Sequence, residues 1–404
     1  MDYTAAREKF ERGEVEVTLE RVEKSAPDSG RVDQKERNIL ILIIITNYKS
    51  QLGQEFLGET KKMFNMIEEK PFISVILTAF KRREFILDAI QSIEKQTLHK
   101  EKYEVIIAKD FSDQILDKKI EALGYKSFIY GGRVGEQLAL CLQNATGEVV
   151  SFLQDDDVFE KDKLKQVFNA FDSNDRLIFM RNGFSIINST GFFVDTHNFY
   201  RTTTNMLIHD DVKRETKNIS LMIKQNFDFN LSCISIKRSI VLKYIDTLKE
   251  IETGDDSFMF FVSMFEVGDL LRVTAPLNRY RVHNNGTTLK TGPIDIMLKK
   301  NASEFLKQIR TFERLRKLSN DRYIYNALDE GILLRMASYR IVNIIDTDYH
   351  VKLSEVLKML NHHETIATGF IAKLFFANFL TTLNKSFGAR VYYNYIVTRY
   401  KHIN

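Results

Sequence analysis

The run Phe152-Leu153-Gln154-Asp155-Asp156-Asp157 places three consecutive carboxylates directly behind apolar residues. Adjacent aspartates repel one another strongly unless a cation neutralises them, and hard divalent cations take oxygen ligands. The preceding Gly147 to Leu153 reads as a buried strand, and ligands of open α/β sheets lie beyond the carboxyl ends of such strands. A cation held there points to a phosphate-bearing substrate. Taken alone, the same residues are equally well explained as the N-cap of a helix starting near Lys161.

The elements that would position this cluster decide between the two. Ile73 to Thr78 is a short β-branched run, followed by Ala79-Phe80-Lys81-Arg82-Arg83 and a helical-period stretch from Phe85 to Ile93. A second strand, Tyr103 to Ala108, leads through Lys109-Asp110-Phe111-Ser112-Asp113 into a helix ending near Ala122. A third, Ser127 to Tyr130, leads through Gly131-Gly132-Arg133-Val134-Gly135 into a helix up to Ala145, and then comes the aspartate strand. Strands alternating with single helices predict right-handed crossovers and a parallel sheet. The loops after these strands then open on one edge, where Phe80, Asp110, Arg133 and Asp156 converge. The glycine segment lacks the spacing of a dinucleotide fingerprint, so a tight turn is its plain role.

From about Pro71 to Thr288 the chain resembles a family 2 glycosyltransferase with the GT-A fold. The resemblance is carried by Ile73-Ser74-Val75-Ile76-Leu77, Lys109-Asp110-Phe111-Ser112-Asp113, Asn144-Ala145-Thr146-Gly147-Glu148 and the aspartate cluster. Thr253-Gly254-Asp255-Asp256 and Tyr280-Arg281-Val282-His283-Asn284-Asn285 complete it, in the same order as in the family. The fold it implies is α/β: a mixed, largely parallel sheet flanked by helices, here followed by a helical C-terminal region.

The resemblance also implies roles. Asp110 would accept a hydrogen bond from the nucleobase, with Thr78 and Phe80 forming the nucleoside wall. Asp156 and His283 would hold Mn²⁺ or Mg²⁺, while Asp155 and Asp157 would contact the sugar or waters on the metal and Asp255, beside the base, the nucleotide or sugar. Asp256 would be the base that deprotonates an acceptor hydroxyl, which implies inversion at the anomeric carbon. Arg133 either binds pyrophosphate or is surface charge, and Lys81-Arg82-Arg83 reads as a solvated helix start rather than a phosphate clamp. Asp256 is also placed to be an N-cap of the following helix. Lys109 and Gln154 stand where the family usually has aspartates, Thr78-Ala79-Phe80 replaces a Pro-Thr-Tyr-like turn, and Asp255 stands for a more frequent Glu.

Composition bounds the rest. A chain of 404 residues is expected to form two or three structural units. The division read here is an extension over 1–70, a transferase domain over 71–290 and a helical region over 291–404. A net charge of +4 is too small to imply a nucleic-acid partner. Cys141, in a predicted helix, and Cys233, in a predicted strand, suit a reducing, cytoplasmic setting. Ile39 to Ile45 is too short to cross a bilayer and reads as a strand, with a helix from Leu52 to Ile67.

Helical spacing recurs over Ile294 to Leu318, Tyr323 to Ile345 and Val351 to Leu360. After Glu364 no acidic residue occurs, while Lys373, Lys385, Arg390, Arg399 and Lys401 are interleaved with aromatics. That tail reads as a membrane-surface helix pair or, failing that, a packing or homo-oligomer surface. Transfer from a nucleotide-sugar donor to a lipid-linked glycan or polysaccharide precursor, peripheral to the inner face of the cell membrane, is the function expected. The alternatives are a non-catalytic nucleotide-sugar-binding scaffold, motivated by Lys109 and Gln154, and a nucleotidyltransferase. The latter would need a glycine-rich, lysine-bearing loop after the first strand that Thr78-Ala79-Phe80-Lys81 does not supply.

Overall fold

The computed structural model describes residues 70–80, 82–194, 204–283, 294–343, 349–358 and 368–400. The readings made for 1–69, and for Lys81, Asn284 and Asn285, fall outside those residues. Residues 69–404 form one compact unit.

Among the described residues nine strands make one sheet: β1 (Ile73–Ala79), β2 (Tyr103–Lys109), β3 (Lys126–Ile129), β4 (Val149–Gln154), β5 (Val158–Phe159), β6 (Leu177–Ile187), β7 (Met206–Ile208), β8 (Ile234–Lys237) and β9 (Asp269–Arg281). Their order is β3-β2-β1-β4-β8-β6-β9-β5, with β7 paired to β9. β1 runs parallel to β2 and β4, and β2 parallel to β3, as the alternation predicted. β8 is antiparallel to both β4 and β6, and two reversals restore direction, so β6 and β9 point the same way as β4. The carboxyl ends of β1, β2, β4 and β9 therefore share one edge. The sheet is mixed and largely parallel, the α/β architecture expected from the sequence.

The helices are α1 (Ile86–Glu94), α2 (Gln114–Ala122), α3 (Val134–Asn144), α4 (Lys163–Asp172), α5 (Thr216–Lys224), α6 (Arg238–Lys243), α7 (Ile245–Lys249), α8 (Asp255–Phe265), α9 (Ile294–Leu318), α10 (Arg322–Val342), α11 (Leu353–Leu357), α12 (Thr368–Leu383) and α13 (Lys385–Tyr400). Successive strand residues face opposite sides of the sheet. Ile73, Val75 and Leu77 of β1 accordingly pack in one core with α1, α2 and α4, while Ile76 packs in another with α3 and α8. Burial on both faces is why these strands are nearly all apolar. The second core continues without a break into α9 and α10, through Phe261, Phe312 and Leu328. Cys233 departs from expectation: it ends the 3₁₀ turn Leu231–Cys233, one residue before β8.

One quoted motif has a purely structural part. Glu104, at the start of β2, accepts hydrogen bonds from Ser74 Oγ (2.8 Å) and from the Thr146 N–H (2.6 Å) and Oγ1 (2.7 Å). The Asn144-to-Glu148 stretch thus ties the amino ends of β1, β2 and β4 together, on the edge away from the aspartates.

Candidate active site

None of the three aspartates caps the next helix, since Asp162 precedes α4 at the N-cap position. Two of them close on a cation instead. The Arg82 guanidinium bridges two of them, with Nη2 2.5 Å from Asp155 Oδ1 and Nη1 2.6 Å from Asp156 Oδ2. Reading Lys81-Arg82-Arg83 as a solvated helix start is thus incorrect for Arg82: the strand end turns it back over the cluster. Arg83 lies over the Phe111 ring, 4.7 Å from its centre. His283, two residues past β9, places Nε2 3.1 Å from Asp156 Oδ2 and packs edge-on against Phe85. It is buried, not an exposed loop histidine.

Arg281 is the hub that aligns β9 with β4. Its N–H donates to Asp157 Oδ1 (3.0 Å), its Nε to the Asp156 carbonyl (2.9 Å), and its Nη2 pairs with Asp88 of α1 (2.7 Å). Burial, then the Asp156 charge, pushes the Asp157 carboxyl up to about 8 and that of Asp155 up to about 7. Burial acts on Asp156 in the same sense, but the His283 hydrogen bond and the Arg82 charge outweigh it and hold this carboxyl below its ordinary value. Asp156 is therefore the fixed anion of the three.

Asp256 reaches the same edge through one tight turn. The Gln154 N–H donates to Ser232 Oγ (3.0 Å), the Ser232 N–H to Asn230 Oδ1 (2.9 Å), and the Asn230 N–H to Asp256 Oδ2 (3.0 Å). Asn230 makes this link from the left-handed region, φ 62°, which asparagine tolerates better than most residues. The N-cap of α8 is Gly254, φ 78°, so Asp256 is not a cap; it lies in the first turn and accepts the Ser257 N–H at 2.8 Å. Burial raises the Asp256 carboxyl. Asp255 beside it is pushed up to about 7 by burial and then by Asp256, and Asp228 up to about 6 by the same causes. Arg335, from α10, opposes both rises at Asp228 and Asp256 and is itself lowered to about 10 by burial. The C-terminal helical region thus acts on the charge of the candidate base.

The nucleoside-side residues are distributed along the same edge. Thr78 is buried in register with Ala108 and Gln154, and Phe80 is exposed at the end of β1. Asp110 follows β2, and its N–H donates to the Ala79 carbonyl (3.3 Å). Lys109, standing where the family has an acid, is fully buried and donates to the Phe111 carbonyl at 2.7 Å while pairing with Asp117 at 2.7 Å. It braces the loop that carries Asp110. Arg133 pairs with Glu136 one turn along α3 (2.8 Å), at the β3 end of the edge.

Among the described residues no three His, Cys, Asp or Glu side chains gather around one point. Two do, Asp156 and His283, and the Arg82 guanidinium already marks this spot as one that a cation fills. An oxygen and a nitrogen ligand side by side fit a divalent ion that takes its remaining ligands from outside the protein. Arg82→Ala should therefore leave Asp155 and Asp156 close together without their cation. The expected cost is about 2 kcal/mol, below the roughly 3–5 kcal/mol of a fully buried pair because Arg82 keeps some contact with water. Mn²⁺ should then raise the melting temperature of the variant more than that of the wild type. Equal shifts would show that Arg82 and the ion do not share a site.

Asp88, Asn230, Arg281 and Arg335 were not singled out from the sequence, and Arg82 was quoted there only in the role of solvated surface charge. Of the first four, Arg281 alone left a trace, inside the quoted Tyr280-to-Asn285 stretch.

The family model described as Glycosyl transferase family 2 matches residues 74–243, from β1 to the end of α6. An uncharacterized glycosyltransferase of Rickettsia felis is 30% identical over 129 residues, which is 31% of this chain and 21% of that protein. One from Rickettsia conorii is 31% identical over a match of the same length and coverage. The match thus spans about a fifth of these relatives' length. Among solved structures, S. aureus TarS 1-349 in complex with UDP-GlcNAc is 14% identical with a TM-score of 0.47, covering 80% of this chain and 91% of that one. The mannosyltransferase PcManGT from Pyrobaculum calidifontis, in complex with GDP-Man and Mn²⁺, is 13% identical with a TM-score of 0.44, covering 78% and 88%. At these scores the likeness assigns neither donor nor acceptor. Asp256 and His283 lie beyond the matched segment and join it through the Asn230 turn and the β6–β9 pairing, so the edge they complete is that of the segment 74–243, which belongs to glycosyl transferase family 2.

Proposed function

We propose that the chain moves a sugar from a nucleotide-sugar donor to an acceptor hydroxyl with inversion, using Mn²⁺ or Mg²⁺. The transferase domain is taken as 71–290 and the helical region as 291–404. The observation that carries this reading is the hydrogen-bonded turn joining the aspartate cluster to Asp256. It sets a cation-binding carboxylate and a buried, raised carboxyl on one sheet edge, the two requirements for transfer from a diphosphate leaving group.

The divalent ion would supply charge neutralisation for the departing nucleoside diphosphate, held by Asp156 and His283. Asp256 takes the proton of the acceptor hydroxyl as its oxygen bonds to the anomeric carbon and the bond to the diphosphate oxygen breaks. Burial that raises Asp256 makes it a stronger base than a free aspartate. Asp255 shares the raised environment, so the two titrate as a pair. Asp110 would accept from the base, with Thr78 and Phe80 beside it. Asp155 and Asp157 would meet the sugar or the waters on the ion, and Arg133 stands at the pyrophosphate end. The acceptor class is a lipid-linked glycan or polysaccharide precursor.

The test is release of nucleoside diphosphate from a panel of UDP- and GDP-sugars with Mn²⁺, in the presence and absence of chelator. Metal-dependent release supports the reading. Binding without any turnover would instead favour a non-catalytic nucleotide-sugar scaffold. Because the base is a raised carboxyl, kcat/KM should climb with pH through the weakly acidic range and flatten above it, and a profile that falls over that range would count against Asp256.

A further inference from the structure

We infer that the tip of the α12–α13 hairpin is a docking surface for an anionic lipid bilayer. The two helices turn at Asn384, whose side chain accepts the Phe387 N–H (3.0 Å). A Cβ added at Gly388 would come within 2.5 Å of the Thr381 backbone nitrogen, so the helices cross in close contact there. One side of the hairpin is fixed to α10. Arg340 Nη1 donates to the carbonyl and side-chain oxygens of Asn378 (both 3.1 Å), Arg340 Nη2 to Thr382 Oγ1 (2.9 Å), and Tyr392 Oη to Ser338 Oγ (3.3 Å).

The other side is apolar and exposed. Phe376, Phe379, Leu383 and Phe387 are 54–70% exposed and follow each other at three- and four-residue steps across the turn. Exposed apolar patches rimmed by polar residues mark interaction surfaces. The rim here is cationic: Lys373, Lys385 and Arg390 are all exposed, and no acidic residue occurs after Glu364. Charge selects the occupant. A second copy meeting this face would bring like charges together with no carboxylate in the segment to pair them, whereas anionic headgroups meet cations and the rings bury at the acyl boundary. No helix among the described residues is long and apolar enough to cross a membrane, so the contact is with one surface.

The test uses the full chain with vesicles of neutral lipid alone or mixed with phosphatidylserine. Flotation with the anionic vesicles only, weakening as salt rises, is the expected result. The combined variant Phe379→Ser, Leu383→Ser, Phe387→Ser should lose binding, as should Lys385→Glu with Arg390→Glu, each by on the order of tenfold or more. All of these side chains are exposed, and an unchanged melting temperature checks that the variants fold. Equal binding to neutral vesicles, no binding to either, or variants that bind as wild type would overturn the inference. So would a concentration-dependent dimer that the apolar variant abolishes. Nucleoside diphosphate release is measured on the same samples, so the surface and the transferase reading fail separately.

Discussion

Replacing Asp256 by Asn should slow sugar transfer by on the order of 10²–10⁴ while leaving donor affinity close to wild type. The substitution removes the proton acceptor but nearly keeps the shape. Asp256 accepts the Asn230 N–H at 3.0 Å and the Ser257 N–H at 2.8 Å, and the amide oxygen of Asn can keep one of these. The lost hydrogen bond should cost about 1 kcal/mol, and relief of the buried charge offsets part of it. Donor affinity by calorimetry and initial rates of nucleoside diphosphate release separate the two effects. Near wild-type transfer would remove Asp256 from the mechanism and leave it as a brace for the Asn230 turn.

Asp156→Ala should abolish the part of donor affinity that depends on a divalent ion. Asp156 is the anion shared by Arg82 and His283, and it alone of the cluster is held below the ordinary carboxylate value. Asp155 and Asp157 are both raised chiefly by burial, which the substitution leaves in place, so neither replaces it as a permanently charged ligand. The variant keeps the Arg82–Asp155 contact, so its fold should survive with a modest loss of stability. Nucleotide titrations with Mn²⁺ and with chelator read the outcome. Unchanged affinity with Mn²⁺ present would place the ion elsewhere.

The two variants fail in different ways. Loss of rate at constant affinity belongs to the base, whereas loss of ion-dependent affinity belongs to the cluster. A chain that loses both in either variant would show that the Asn230 turn couples the two carboxylates mechanically, since it joins the end of β4 to the first turn of α8.

The strands and helices were legible in the sequence because their signal is local. Ile73 to Thr78 alternates between two buried faces, and the helical spacing of Ile294 to Leu318 marks α9 from end to end. The order of the βα units then placed the ends of β1, β2 and β4 on one edge, and with them Asp110 and Asp156. The alternatives at Asp256 and the aspartates were open in the sequence, because a carboxylate at a helix start serves a cap or a site equally well.

What only the tertiary structure decided are contacts between distant segments. Arg82 meets Asp155 across 73 residues and Arg281 meets Asp88 across 193, and neither separation has a period that local pattern can report. Lys109 looked like the loss of a ligand, yet burial beside Asp117 makes it a brace. Arg335 acts on the Asp256 charge only because α10 packs back on α9 and α5, a placement set by apolar packing in the shared core. Side-chain type and strand order determine which chemistry is available at the edge. Which cation and which base meet there depends on packing, because the sheet reverses twice before β9 brings His283 back to Asp156.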